Sequence, residues 1–418
     1  MSMEYFDKLG VLIGQRWKAH HCNETSFPEV AVRALEDLPA HRHVTMWDIA
    51  RNAITAPWMP QQLDPGSKFG DPPLTVYYGR GFVIDVLFWA EGTPSIHQHA
   101  FSGAFQVLQG SSVHTLWEFN LMERVETHLL LGQTQLKSAE VLLTGDLRPI
   151  LPGKQMIHAT YHLEHPSITL VVRTVSQQEH RPQYDYLPPG IAFDQNDHIP
   201  LVKRQTELLR MLLVSGKRAQ YYEMARHVCE TADAYSVFRF ITETYFGIHD
   251  EEFRQILLLS ATRRHPVLIE ALRPVLTQME IGHRVLQARR NRDLGPEMKF
   301  FLALLRNVPN RAAILTLIQQ RYPNRSPTVH VRELIRKLSN AGLLGVRFTE
   351  CWLVAIEGLL QGLSNAELLA LMPRRCPPGS FPSTQAQLRD LTSGLQEYWL
   401  LQPLLASAGN SEGVRVSV

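Results

Sequence analysis

The chain has 418 residues, 44% of them hydrophobic and 20% charged. That is enough for two or three domains with buried cores, and it excludes collagen-like, disordered and disulfide-stapled miniature proteins. The formal net charge of +2 conceals an asymmetry: residues 1–199 carry 14 Lys and Arg against 21 Asp and Glu, whereas residues 200–418 carry 28 against 19.

The first seventy residues read as a helical lead, with an amphipathic opening at Tyr5–Trp17 and a second segment, Pro28–Asp37, behind a cap at Ser26. From Leu74 to Val175 the texture changes to short β-branched and aromatic runs punctuated by Gly and Pro, as in a sandwich or barrel. Pro182–Pro200 is proline-rich and aperiodic and reads as a linker. Beyond it helical spacing dominates in segments such as MKFFLALLRNV and ECWLVAIEGLL, which predicts an α-helical bundle; the last nine residues read as a frayed tail. The expected architecture is α+β: a helical lead over 1–70, a barrel with its trailing linker over 71–199, and a helical domain over 200–418.

Four cysteines (Cys22, Cys229, Cys351, Cys376) lie far apart with no CxxC pair, which indicates neither a zinc ribbon nor a disulfide framework. With no basic-then-apolar leader and no apolar run near the eighteen or so residues that span a bilayer, the expectation is a soluble, cytoplasmic protein without a membrane partner.

Thirteen of the eighteen histidines fall in the first 199 residues. His97 and His99 stand at i, i+2, a spacing that on a strand turns both imidazoles to one face and suits two ligands of one cation. A second segment, residues 145–162, carries the Pro152–Gly153 turn and then His158, which a neighbouring antiparallel strand can aim at the same point. His114 and His128 on strand-like runs read as core or surface residues. His162 and His165 read as neighbours of a centre, and His20, His21 and Cys22 as incidental positions spread around a helix. Cys376, beside two arginines, reads as a solvated loop thiol.

These two segments resemble the paired motifs of the cupin superfamily. Gly92, His97, His99 and Gly110 follow the first motif, and Gly145, Pro152, Gly153 and His158 the second. Gly103 stands where the first motif has its Glu. Loss of that Glu with three histidines kept is similar to the thiol dioxygenases among the cupins, over roughly residues 75–175. The resemblance implies a double-stranded β-helix barrel and Fe(II) held by His97, His99 and His158, with O2 as co-substrate. It also implies a substrate-binding Arg, for which Arg80 is the nearest match. The family's late-strand Ser-x-His-x-Tyr run is replaced here by Thr169, Val171 and Arg173, which opens its roles to Tyr161, His162 or Arg173.

The expected function is therefore a mononuclear non-haem iron oxygenase acting on a small, thiol- or carboxylate-bearing metabolite. Zn, Ni or Mn in the same cage, with lyase, isomerase or hydrolase chemistry, is one alternative. A non-catalytic, ligand-sensing barrel with a regulatory helical half is the other. The basic helical clusters read as solvated faces, so a homodimer through this half is the expected interaction and nucleic acid is not.

Overall fold

The computed structural model describes residues 2–63, 69–90, 95–175, 182–194, 200–290, 294–405 and 414–416. Three helices open the chain: α1 (Ser2–Ala19), α2 (Phe27–Asp37) and α3 (Met46–Thr55). α3 starts on a reciprocal cap, in which Thr45 Oγ1 accepts from Asp48 N and the Asp48 carboxylate accepts from Thr45 N. Ser26 makes no side-chain cap; α2 begins instead with Pro28 in its first turn, where a missing N–H costs nothing. His20, His21 and Cys22 are not helical. His21 and Cys22 take φ of +56° and +53° in the left-handed turn that ends α1.

Among the described residues eleven strands follow: β1 (Pro73–Gly79), β2 (Phe82–Trp89), β3 (Ile96–Gln98), β4 (Gly103–Gln109), β5 (Ser112–Glu126), β6 (Leu129–Leu142), β7 (Leu147–Ile150), β8 (Ile157–His162), β9 (Ser167–Thr174), β10 (Tyr184–Leu187) and β11 (Ile191–Asp194). One sheet runs β1-β2-β9-β4-β7, and the other contains β10-β3-β8-β5-β6 in that order. Successive strands from β2 to β9 thus alternate in pairs between two facing layers, β2-β9-β4-β7 and β3-β8-β5-β6. This is the jelly-roll winding of a double-stranded β-helix, the cupin-type barrel. β11 pairs with both β10 and the far end of β6, so the second sheet curls back on itself.

Alternation along each strand assigns the two faces. Phe105, Val107, Leu142, Ile150, Met156 and Val171 pack together inside the barrel. On the outside of the first sheet, Phe82, Ile84, Val86, Ile168, Leu170 and Val172 bury Phe6, Leu9 and Ile13 of α1 and Ala31, Ala34 and Leu35 of α2. The N-terminal helices are therefore a lid on one sheet. At roughly 25 cal/mol per Å² of apolar area, such a lid contributes several kcal/mol of burial to the barrel.

Among the described residues twelve α-helices follow: α4 (Pro200–Val214), α5 (Arg218–Thr231), α6 (Ala234–Thr244), α7 (Glu251–Thr262), α8 (Pro266–Arg289), α9 (Pro296–Asn307), α10 (Arg311–Arg321), α11 (Pro327–Asn340), α12 (Glu350–Leu360), α13 (Asn365–Arg375), α14 (Gln385–Glu397) and α15 (Gln402–Leu405). Their core is continuous with the second sheet of the barrel. Val113, Trp117, Ile157 and Tyr161 on the outer face of the second sheet share one cluster with residues of α9 to α15, and Leu129, Leu131 and Ile191 share another with α4 to α8. No helix among the described residues is long and apolar enough to cross a membrane.

Two segments differ from the sequence reading. Residues 182–194 are not an irregular linker but the β10–β11 hairpin, turned at Pro188–Gly190; two four-residue strands are too short for their alternation to register. In the tail, Arg415–Val416 forms a short strand, β12, parallel to Ser138–Ala139 of β6. Gly92, residues 195–199 and residues 410–413, also named in that reading, lie outside the described residues.

Candidate metal centre

β3 is only three residues long, yet it sets the geometry. It pairs antiparallel with β8, and His97 stands directly opposite His158. Directly opposite residues share a face, so both imidazoles enter the barrel. His99 follows at i+2 on that face and is tied to the Pro152–Gly153 turn, whose Gly153 N donates to the His99 carbonyl oxygen at 2.7 Å. The outcome is a buried trio, His97, His99 and His158, with one ring nitrogen from each within 4.8 Å of the others. Gln98, between the ligating positions, faces away and accepts from the Tyr186 hydroxyl at 2.6 Å.

The surrounding hydrogen bonds select the tautomers. His97 Nδ1 is 2.8 Å from the Ser95 carbonyl oxygen; a carbonyl only accepts, so Nδ1 carries the proton and the Nε2 lone pair is free. On the other side a relay runs across four strands. Arg148 donates from Nε and Nη2 to the Glu140 carboxylate, Glu140 Oε1 lies 2.8 Å from His114 Nδ1, and His114 Nε2 lies 3.1 Å from His158 Nδ1. The carboxylate can only accept, so His114 donates to it, His114 Nε2 accepts from His158 Nδ1, and His158 Nε2 is left with a lone pair aimed at the centre. This is the arrangement by which outer partners orient ligating imidazoles.

Charge agrees with the tautomers. Burial pushes His97 down from its ordinary 6.5 to about 4. Burial, joined by neighbouring imidazoles, also holds His99 and His158 well below the ordinary value. All three are neutral near pH 7, as metal ligation requires. Burial would raise the Glu140 carboxyl, but the hydrogen bonds from His114 and Arg148 outweigh it and hold the group at about 2.

Whether this donor set fits a cation can be judged from one contact. His99 Nε2 and His158 Nε2 are 2.9 Å apart, while the relay already gives His158 Nε2 a lone pair, and His99 Nδ1 is buried with no hydrogen-bond partner. Either one proton bridges the two rings or a cation accepts both lone pairs; the third neutral ring, His97, with its own Nε2 free at the same point, favours the cation. Three neutral nitrogens without a carboxylate suit a borderline transition metal such as iron, nickel or zinc.

The wall around the trio is aromatic. Phe69 lies 5.1 Å from His97, Phe101 4.5 Å from His99 and Phe105 6.0 Å from His158 between ring centroids. The Arg173 guanidinium sits over Phe101 at 5.4 Å and donates from Nε to Asp85 at 2.7 Å.

Other residues singled out by the sequence fall elsewhere. Thr169 and Arg173 face the interior, but Thr169 accepts from the Trp89 indole at 3.0 Å. His162 shares the face of His158 but lies four residues, about 13 Å, along the strand; it stacks on Trp89 at 4.6 Å and pairs with Ser112. Tyr161 is on the opposite face, buried in the cluster shared with the helices. Arg80 is exposed on the turn between β1 and β2 rather than in the buried centre. At Gly103 any Cβ would collide with the Val172 carbonyl oxygen, so no side chain can enter there. Cys376 is not a solvated thiol with a favoured thiolate: it is buried at the end of α13, and burial together with Cys351 raises it to about 12.

His114, Glu140 and Arg148 were not foreseen as part of the centre. They come from three strands, and only the β5–β6 pairing, which sets His114 opposite Glu140, brings the first two together.

No protein-family model matches the chain, and no curated protein matches it in sequence. Among solved structures it is similar to DMSP lyases, at 16% identity over 26% of this chain and 45% of the other, TM-score 0.17. It is also similar to a hydroquinone 1,2-dioxygenase complexed with Cd2+ and 4-hydroxybenzonitrile, at 18% over 25% and 63%, TM-score 0.17. A third is oxalate oxidase in complex with glycolate, at 19% over 27% and 46%, TM-score 0.17. The chain thus spans about half the length of these structures, and such likenesses decide neither its reaction nor its substrate.

Proposed function

We propose that the protein is a mononuclear non-haem iron oxygenase that oxidises a small metabolite bearing a thiol or a carboxylate. His97, His99 and His158 would hold the metal. The observation that carries this reading is the convergence of three buried, neutral imidazoles, with no carboxylate joining the group among the described residues.

A neutral donor set leaves the charge of a divalent cation uncompensated and positions around it open, which favours an anionic substrate group. An iron ion there would supply one-electron chemistry with O2. The chain's own part is orientation and exclusion of water. The relay from Arg148 through Glu140 and His114 fixes the His158 ring, and Ser95 fixes that of His97. Phe69, Phe101 and Phe105 keep the surroundings apolar, and Arg173, paired with Asp85, lies over Phe101 beside His99.

Metal analysis of freshly purified protein, followed by oxygen uptake with small thiols and carboxylates, tests the reading. Iron near one per chain, with substrate-dependent uptake lost in His99→Ala, is the expected result. Zinc or nickel at that stoichiometry without uptake would replace it by lyase, isomerase or hydrolase chemistry. Absence of any bound metal would leave a ligand-binding barrel.

A further inference from the structure

A second site lies on the other face of the strand that carries His158. Tyr161, turned outward, lies within electrostatic range of Arg306 near the end of α9. Arg306 Nε is shut off from solvent and has no hydrogen-bond partner, and among the described residues no carboxylate, carbonyl or aromatic ring pairs with this guanidinium. Other arginines of the helical half behave differently: Arg284, Arg325 and Arg336 each pair with a glutamate. Arginine does not shed its proton to escape burial. A positive charge largely withdrawn from water without a counter-charge is a cost that structures rarely retain without use.

A second feature shows that space is kept for this group. Gly282 lies in the interior of α8, where glycine is a poor residue. A Cβ at that position would collide with Nη1 of Arg306. The glycine thus leaves a notch into which the guanidinium fits, and the residue as a whole retains partial exposure, so a solute can reach it.

We propose that Arg306, in the notch at Gly282 and beside Tyr161, is a binding site for a small oxyanion, a phosphate or a carboxylate group, at the seam between the barrel and the C-terminal helices. The planar fork of a guanidinium matches two oxygens of either group. The apolar cluster on this side of the second sheet strengthens the attraction relative to water. The site is independent of the metal centre, since β8 separates the two faces.

The experiment is a thermal-unfolding titration of the full chain with sodium phosphate, and separately sodium acetate, against sodium chloride at constant ionic strength. The expected result is a saturable rise in Tm with one or both oxyanions, as mass action requires of a ligand that binds only the folded state. That rise should persist in His99→Ala, which separates it from any binding at the metal centre, and vanish in Arg306→Met. Gly282→Ala, which drives the guanidinium out of its notch, should also abolish it and serves where Arg306→Met does not fold. A response to phosphate alone assigns a phosphate ligand; a response to acetate alone assigns a carboxylate. No saturable rise with either, or a rise that survives both Arg306→Met and Gly282→Ala, overturns the proposal.

Discussion

The barrel interior holds histidines at two ends, and they are opposites. At one end His97, His99 and His158 point ring nitrogens at a common position. At the other, His162 lies flat on Trp89 and pairs with Ser112, while Trp89 is itself held by Thr169. Both ends are buried and both belong partly to β8. What separates them is where the lone pairs go: into a shared space at the first end, into neighbouring side chains at the second. A buried imidazole is therefore not in itself a candidate ligand; convergence makes it one.

The sharpest way to break this comparison is to remove one ring from each end. His158→Ala should reduce bound metal to about a tenth of wild type or less, because two remaining nitrogens hold a transition metal poorly. His162→Ala should lower Tm and leave metal stoichiometry unchanged. Elemental analysis of both variants decides it; equal metal loss would mean that the two ends form one site.

The next largest effect is in pH. In chelator-stripped protein the folded-state pKa of His97 is about 4, below its unfolded value of 6.5, and those of His99 and His158 are lowered in the same direction. Between those values the unfolded chain binds more protons than the folded one, so the stability contributed by keeping these rings neutral is complete above about pH 6.5. It is lost as pH falls through 4. For His97 alone that is about 3 kcal/mol at 1.36 kcal/mol per pKa unit. Denaturant titrations across pH 4 to 7 should show the loss, and bound metal should oppose it. A flat profile over this range would refute the neutral, desolvated trio.

A smaller effect is expected from the relay. Glu140→Gln keeps the shape but supplies an amide that can donate to His114 Nδ1, which permits the tautomer that no longer accepts from His158. Metal affinity should fall about 10- to 100-fold, or about 1.4–2.7 kcal/mol. Binding of Co(II) or Zn(II), followed by competition with a chelator, measures it. Unchanged affinity would reduce the Glu140–His114 contact to packing.

The same contrast explains what the sequence makes legible. The trio shows because H-x-H on a strand and a Pro-Gly turn before His158 are local patterns, and local patterns are what spacing reports. Many short strands suggest a sandwich or barrel, and its winding is what the resemblance implies. The relay does not show, because His114 and Glu140 are 26 residues apart and meet only through the register of β5 and β6. Tyr161 is instructive in the other direction: an odd offset of three from His158 places it on the opposite face, a signal already present in the spacing. Arg80 was suggested by resemblance alone, and the glycines around it make a hairpin turn that carries it to the surface. The burial of Cys376 rests on contacts with distant helices, which no local pattern encodes.

The smallest expected effect sharpens the quiet end of the barrel. Thr169 occupies a position where the resemblance suggested a role in orienting substrate, yet its hydroxyl is engaged by Trp89 Nε1 at 3.0 Å. Thr169→Val preserves shape and removes the acceptor, leaving a buried indole N–H unsatisfied. The cost should be about 1–2 kcal/mol of stability, read as a lower denaturant midpoint at unchanged slope. Metal content should equal wild type, and so should KM for any substrate found by oxygen uptake, because the hydroxyl's partner is the indole that supports His162 rather than the ring trio. A raised KM at unchanged stability would place Thr169 against the substrate, and the two ends of the barrel would then belong to a single elongated cavity.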